Sequence, residues 1–267
     1  MPELPEVETI RLQLKQFISG LFISKITIYK EKSFQGNPKQ MEGATIKDLK
    51  RFAKVLIFET DKGNSLAVHL KMTGQLIYKK QQDKSSLPDK HTRVFFQFKD
   101  GSRLFFNDVR RFGWMRIIKN IKEITYNFGP DPFKLTAAEF EIILSKSAKP
   151  IKLLLMDQEK IAGIGNIYAN EALFTAKINP RTKANKLSKK KADKILAAVK
   201  DVLGKGIKFG GASDNNYLNA YGEKGEMQDH FMVYGRKDEN CLNDCHGRIK
   251  RIILGGRGTF FCPECQK

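Results

Sequence analysis

The spacing of the four cysteines constrains the fold of this chain more than any other feature of its sequence. The pattern is Cys241-x3-Cys245, then sixteen residues, then Cys262-x2-Cys265, and these are all of the cysteines present. Two thiol pairs at this separation favour a closed tetrahedral zinc site over two disulfides. The first gap is one residue wider than the second, and His246 is an adjacent substitute ligand. We expect one structural Zn2+ per chain, held by all four cysteines.

The charge balance indicates a polyanionic partner. The 267 residues include 48 Lys and Arg against 29 Asp and Glu, a formal net charge of +19. Nucleic acid is the leading interpretation, and a ribosome or an anionic membrane remains an alternative on charge alone. No apolar run is long enough for a membrane span, and acidic residues at 3, 6 and 8 do not fit a signal peptide. We therefore expect a cytoplasmic protein with reduced thiols.

The first residues suggest covalent chemistry. If Met1 is removed, Pro2 presents a secondary amine beside the carboxylate of Glu3. An α-amino group has a pKa of about 7.7 to 8.0, so a useful fraction is neutral at pH 7 without special burial. Such an amine can form an iminium with a sugar carbon, which is an electron sink for elimination. The simpler alternative is that Pro2 and Pro5 only begin a helix, and both interpretations can hold together.

Periodicity predicts helices at the start and in the second half, with strands between them. Residues 23–125 read as short strands joined by turns, which is typical of a β-sandwich. Strand alternation over Leu66–Met72 places Met72 on the side of Leu66 and predicts that His69 and Lys71 face outward together. From about residue 136 the pattern is helical, with Asn166 as a helix N-cap. Ser188 is expected to cap a helix whose apolar face comprises Ala192, Ile195, Leu196, Val199 and Val202.

Five motifs, in order along the chain, resemble the bacterial formamidopyrimidine-DNA glycosylases, which excise oxidised purines. Leu4 favours this purine branch, because sibling enzymes of the endonuclease VIII type usually have glycine there. Two departures from the family pattern are Ala53, where glycine is usual, and the wider first cysteine gap. The motifs are Pro2-Glu3-Leu4-Pro5-Glu6, His69-Leu70-Lys71-Met72-Thr73-Gly74, Asn107-Asp108-Val109-Arg110-Arg111-Phe112-Gly113, Gly163-Ile164-Gly165-Asn166 and Arg257-Gly258-Thr259-Phe260-Phe261-Cys262.

The resemblance implies a multi-domain α+β protein. Its parts would be an N-terminal β-sandwich with a catalytic N-terminal helix, a helical helix-two-turn-helix domain and a C-terminal zinc-finger β-hairpin. The expected bounds are 1–125 for the catalytic domain, 120–135 for a linker, 136–230 for the helical domain and 231–267 for the finger. Residues 204–230 would include a flexible loop that closes over the damaged base.

The resemblance also implies a role for individual residues. Pro2 would be the Schiff-base nucleophile, Glu3 the proton donor and acceptor, and Glu6 a supporting group. Lys54 and Arg257 would contact phosphate or donate protons during elimination, and Glu171 would lie near the lesion pocket. The implied DNA contacts are His69, Lys71, Met72, Arg110, Phe112, Lys152, Asn166 and Arg257, with Met72, Arg110 and Phe112 filling the space of the flipped base.

The expected function is base-excision repair by a bifunctional DNA glycosylase/AP lyase, acting as a monomer on double-stranded DNA that contains oxidised purines. Two alternatives stay open at this point. One is an oxidised-pyrimidine glycosylase of the endonuclease VIII type. The other is a non-catalytic lesion-binding protein, which would fit if Met1 stays on or the wide cysteine pair fails to hold zinc.

Overall fold

The computed structural model describes residues 1–213 and 216–267. Within them the chain divides into two compact units. Unit 1 comprises residues 1–126 and 207–228, and unit 2 comprises 127–206 and 229–267. Residues 207–228, expected in the helical domain, instead pack in unit 1, where Glu6 and Gln13 bind their backbone. Asp214 and Asn215, in the predicted lesion loop, lie outside the described residues.

Unit 1 is the predicted β-sandwich, and its two sheets share one apolar core. The strands are β1 (Ile23–Ile28), β2 (Phe34–Gln35), β3 (Ile46–Phe52), β4 (Val55–Thr60), β5 (Ser65–His69), β6 (Gly74–Lys79), β7 (Thr92–Phe98), β8 (Arg103–Asp108) and β9 (Trp114–Ile118). The order of the first sheet is β1-β7-β8-β6, and that of the second is β2-β9-β5-β4-β3. Side chains from both sheets meet in a single cluster that includes Leu56, Val68, Leu76 and Phe106.

Helix α1 (Leu4–Ile18) covers this core and determines where the N-terminal residues lie. Its apolar positions Val7, Ile10 and Leu14 recur at helical spacing and are almost fully buried. Proline early in the first turn is compatible with helix geometry, because the N–H groups there have no partner inside the helix. A short helix α2 (Lys122–Thr125) follows β9 at the end of the first segment of unit 1.

Unit 2 is helical with one β-hairpin. The helices are α3 (Ala137–Ser145), α4 (Ile151–Leu155), α5 (Asn166–Thr175) and α6 (Lys189–Lys208), and the hairpin strands are β10 (Lys250–Leu254) and β11 (Arg257–Phe261). The face predicted for α6, from Ala192 to Val202, is buried. Two details differ from what the sequence predicts. Helix α6 extends five residues into the predicted loop region at 204–230, and the N-cap of α5 is Gly165, with Asn166 the first helical residue.

Across residues 1–213 and 216–267, every helix is too short or too polar to span a lipid bilayer.

Candidate DNA-processing site

The N-terminal residues form a compact acidic arrangement at the start of α1. Glu3 is its N-cap, and the Glu3 backbone N–H donates to Glu6 Oε2 at 2.7 Å. Both carboxylate residues are buried, with Glu3 3% and Glu6 1% exposed. Pro2 is also buried, whereas Met1 is 41% exposed. With Met1 attached, the Pro2 nitrogen is an amide and cannot act as a nucleophile.

Glu6 also binds the segment 207–228, through a contact that sequence reasoning did not predict. Its second oxygen, Oε1, accepts a hydrogen bond from Ala212 N at 2.8 Å. Tyr217, in the same segment, donates its hydroxyl to Gly210 O at 3.0 Å. Burial and the nearby charge of Glu6 raise the pKa of Tyr217 well above its usual value, so the hydroxyl stays protonated. Glu6 therefore links the beginning of α1 to this segment.

Lys54 lies in the turn that leads into β4, and His69 ends the neighbouring strand β5. Phe52 pairs with Val55, so β3 and β4 are joined by a two-residue turn of Ala53 and Lys54. Ala53 has φ +52°, a left-handed conformation that favours glycine. Val55, directly after Lys54, pairs in turn with His69 at the end of β5. The pairing of Val55 with His69 therefore places Lys54 close to His69.

The imidazole of His69 is neutral. Burial, together with the charges of Lys71 and Lys54, lowers the pKa of His69 from 6.5 to about 3. Its Nδ1 accepts a hydrogen bond from Lys71 N at 2.9 Å, so the ring proton resides on Nε2. A neutral imidazole in this tautomer is a hydrogen-bond donor suited to a phosphate oxygen.

Met72, Arg110 and Phe112 lie on two neighbouring turns that connect the sheets. We call residues 70–73, between β5 and β6, the first crossover turn, and residues 109–113, between β8 and β9, the second crossover turn. The strand register pairs Gly74 with Asp108 and His69 with Trp114, so the two turns lie side by side. Met72 is 38% and Phe112 54% exposed, and Arg110 Cζ lies 4.9 Å from the centre of the Phe112 ring.

The exposure of Met72 corrects the predicted strand. Strand β5 ends at His69, and Lys71 has φ +52°. The alternation therefore stops before Lys71, which is half-buried in the first crossover turn, and Met72 points away from the core that holds Leu66 and Val68. Exposed apolar side chains on a cationic turn are a suitable arrangement for wedging between bases.

In unit 2, Lys152, which was expected to contact DNA, is buried against the β10–β11 hairpin. The residue has no exposed surface, and its Nζ donates to Gly258 O at 2.8 Å and to Thr259 Oγ1 at 2.7 Å. Thr259 Oγ1 in turn donates to Arg257 O at 3.1 Å. Lys152 therefore holds strand β11 of the hairpin by hydrogen bonds. Arg257, at the turn of the same hairpin, is exposed.

Glu171 is likewise buried and holds backbone. Oε1 accepts hydrogen bonds from Val233 N (3.0 Å) and Tyr234 N (2.8 Å), and Oε2 accepts one from Met232 N (2.9 Å). Burial raises the pKa of Glu171, and these three N–H donors partly offset that effect. The carboxylate thus anchors the chain leading to the finger.

The four cysteines meet as predicted. Their sulfur atoms all lie within 4.8 Å of one another. Cys241 Sγ and Cys265 Sγ are 3.8 Å apart, and Cys245 Sγ and Cys262 Sγ are 3.5 Å apart. All four are free thiols. A tetrahedral metal with metal–sulfur distances near 2.3 Å requires sulfur atoms about 3.8 Å apart, so this cluster can bind a metal ion.

The extra residue in the first cysteine gap is accommodated by the backbone. Asp244 and His246 both have left-handed conformations, with φ +50° and +54°. This turn brings Cys245 to the other three thiols, so the cluster is complete without His246.

Comparison with known proteins gives a consistent result over the whole chain. Residues 1–115 match the model of the formamidopyrimidine-DNA glycosylase N-terminal domain, and residues 128–217 match that of its H2TH domain. The formamidopyrimidine-DNA glycosylases of Streptococcus thermophilus and Bacillus licheniformis are 40% and 39% identical, over the full length of both chains. This chain belongs to the formamidopyrimidine-DNA glycosylase family.

Solved structures of the family have the same fold. The Lactococcus lactis enzyme in complex with DNA containing an abasic site matches with a TM-score of 0.89 at 34% identity, covering 99% of each chain. Its complex with DNA containing N7-benzyl-Fapy-dG also gives 0.89, at 35% identity and full coverage.

Several residues that organise this glycosylase fold were missed by sequence reasoning. Asp108, Arg93 and Asn170 are buried and bind backbone atoms. Asp108 lies inside the motif at 107–113, so its place in the sequence could have marked it as a candidate site residue. Arg93 and Asn170 carry no local signal, because only the folded chain reveals their partners.

Asn166, predicted to contact phosphate, is at the first position of α5, where helix N–H groups point outward.

Proposed function

We propose that this chain is a bifunctional DNA glycosylase/AP lyase of base-excision repair that removes oxidised purines, such as 8-oxoguanine and formamidopyrimidines, from duplex DNA. The observation that carries the proposal is the buried Glu3–Glu6 arrangement directly after Pro2. It combines a nucleophile, once Met1 is removed, with a carboxylate beside it. Family membership and the DNA lesions bound by the Lactococcus lactis enzyme support the substrate class.

The proposed reaction begins when the Pro2 nitrogen attacks C1′ of the damaged nucleotide. The bond between C1′ and the base breaks, and the base leaves with a proton. Glu3 protonates the ring oxygen as the sugar opens, which leaves an iminium between Pro2 and C1′. The iminium accepts electrons as a proton leaves C2′ and the 3′ phosphate departs, and a second elimination then releases the 5′ phosphate.

Contacts with the DNA fall into two proposed groups. The first group would bind phosphates, and such contacts position the enzyme without reading the base sequence. It comprises Lys54, His69, Lys71, Asn166 and Arg257. Lys54 and Arg257 would also donate protons during elimination. Met72, Arg110 and Phe112 would occupy the space left when the damaged nucleotide is flipped out. The exposure of these three side chains and the neutral His69 support this assignment.

We infer that the metal of the cysteine cluster is zinc. Four thiolates suit zinc, and they leave no open position for water, so its role would be structural. Metal analysis of the purified protein should find one zinc per chain. A metal-free protein that still processes DNA would contradict this role. The proposed enzyme works as a monomer in the cytoplasm, where its thiols stay reduced.

The direct test compares excision from duplexes carrying 8-oxoguanine opposite cytosine with excision from duplexes carrying thymine glycol. We expect a preference for 8-oxoguanine, and Glu3→Gln should lower its excision by about 10² to 10⁴-fold. Glu31→Gln, at an exposed position of the same unit, is the control. A preference for thymine glycol would favour the endonuclease VIII type, and binding without excision by the mature protein would favour a lesion-binding protein.

A further inference from the structure

The two crossover turns are tied together by one buried carboxylate. Asp108 has no exposed surface. Its Oδ2 accepts a hydrogen bond from Gly113 N at 2.7 Å, and its Oδ1 accepts one from Arg110 N at 3.2 Å. Both donors belong to the second crossover turn, so Asp108 determines where that turn begins and ends.

Thr73 extends this network to the first crossover turn. Its hydroxyl donates to Asp108 Oδ1 and accepts from Arg110 N at 2.9 Å. The hydroxyl of Thr73, the residue directly after Met72, therefore connects the first crossover turn to the Asp108 carboxylate and to the backbone of Arg110. Thr73 thus joins the two turns directly by hydrogen bonds.

Asp108 is itself held in place. The buried Arg93 donates to Asp108 O from Nε at 2.8 Å and from Nη2 at 2.6 Å. The close approach of Gly113 also needs the absence of a side chain, because an added Cβ would lie 2.7 Å from Phe106 Cζ. Asp108 and Gly113, at either end of the second crossover turn, are therefore held by hydrogen bonds and close packing.

We propose that Asp108 and Thr73 are positioning residues that lock the two crossover turns in one register, so that Met72, Arg110 and Phe112 enter the duplex as a single unit. This inference rests on the proposed function. Pre-organised groups are effective because little ordering remains to be done when the substrate binds. Hydrogen bonds to a charged, buried acceptor are among the stronger ones.

Thr73 allows a matched test. Thr73→Val keeps the shape and removes the hydroxyl, whereas Thr73→Ser keeps the hydroxyl. Insertion into the duplex is followed by stopped-flow fluorescence of 2-aminopurine next to 8-oxoguanine, together with single-turnover excision opposite cytosine and opposite adenine. Affinity for undamaged duplex and thermal unfolding are measured in parallel.

We expect Thr73→Val to slow insertion and excision about tenfold or more and to reduce discrimination between cytosine and adenine, because Arg110 would no longer be fixed. Thr73→Ser should restore both, and neither variant should change affinity for undamaged DNA. If Thr73→Val does not fold, Thr73→Ala removes the same hydroxyl and takes its place.

Equal insertion and excision rates for Thr73→Val and Thr73→Ser, with an active wild type, would overturn the inference. A wild type that neither inserts nor excises would instead count against the proposed function, so the two failures are distinguishable.

Discussion

Residues that match family positions differ between the two units in their exposure to solvent. In unit 1, Met72, Arg110 and Phe112 are exposed on the crossover turns. In unit 2, Lys152 and Glu171 are buried and bind backbone. Both groups match family positions, yet only the first is exposed to solvent. A match to a family position therefore does not by itself distinguish an exposed side chain from one that holds other parts of the fold.

The largest expected effect is a loss of stability, and it distinguishes a buried supporting residue from an exposed one within unit 2. Lys152→Met should lower the free energy of unfolding by about 2–3 kcal/mol, because it removes a buried donor from Gly258 O and Thr259 Oγ1. Arg257→Met, at an exposed position, should leave stability almost unchanged and weaken DNA binding. Chemical denaturation and DNA titration at several salt concentrations measure both effects.

Lys190→Met, on the exposed surface of α6, is the control for loss of a lysine. If Lys152→Met kept full stability and reduced the salt dependence of DNA binding by about one charge, Lys152 would be a phosphate contact after all.

A second prediction concerns His69 in unit 1. Its pKa is lowered to about 3, so between that value and 6.5 the unfolded chain binds more protons at this position than the folded chain. The contribution of His69 to the free energy of unfolding is therefore fully present above pH 6.5. It is lost as the pH falls from 6.5 towards 3, at up to about 1.4 kcal/mol per pH unit. The difference in unfolding free energy between wild type and His69→Asn should change with that slope between pH 6 and 4. A constant difference would mean that His69 is protonated in the folded protein.

The smallest effect is expected at Ala53. Its left-handed backbone is unfavourable for alanine, so Ala53→Gly should stabilise the protein by up to about 1 kcal/mol. Ala148→Gly, at an exposed position of unit 2 without positive φ, should instead be neutral or slightly destabilising. Thermal unfolding of both variants measures the difference. Destabilisation by Ala53→Gly would show that the turn carries no strain.

Much of the fold could be predicted from the sequence, because alternation and helical spacing report directly on local structure. The strand Val55–Thr60, the buried face of α6 and the meeting of the four cysteines are of this kind. The family motifs likewise identified the candidate site.

The remaining features depend on tertiary partners that a local pattern does not contain. Strand β5 stops at His69, because the chain then crosses to the other sheet. The burial of Lys152 and of Glu171 depends on the hairpin and on the segment at 232–234, which are distant in the sequence. Residues 207–228 look like a helical-domain loop, yet they bind Glu6 and Gln13 of α1.

The central claim is that Pro2 is the nucleophile. It is tested most directly by borohydride trapping on a duplex with 8-oxoguanine opposite cytosine, followed by mass mapping of the cross-linked residue. We predict a covalent adduct on Pro2 in protein that lacks Met1. An adduct on a lysine, or no adduct from mature protein that binds the duplex, would contradict the claim.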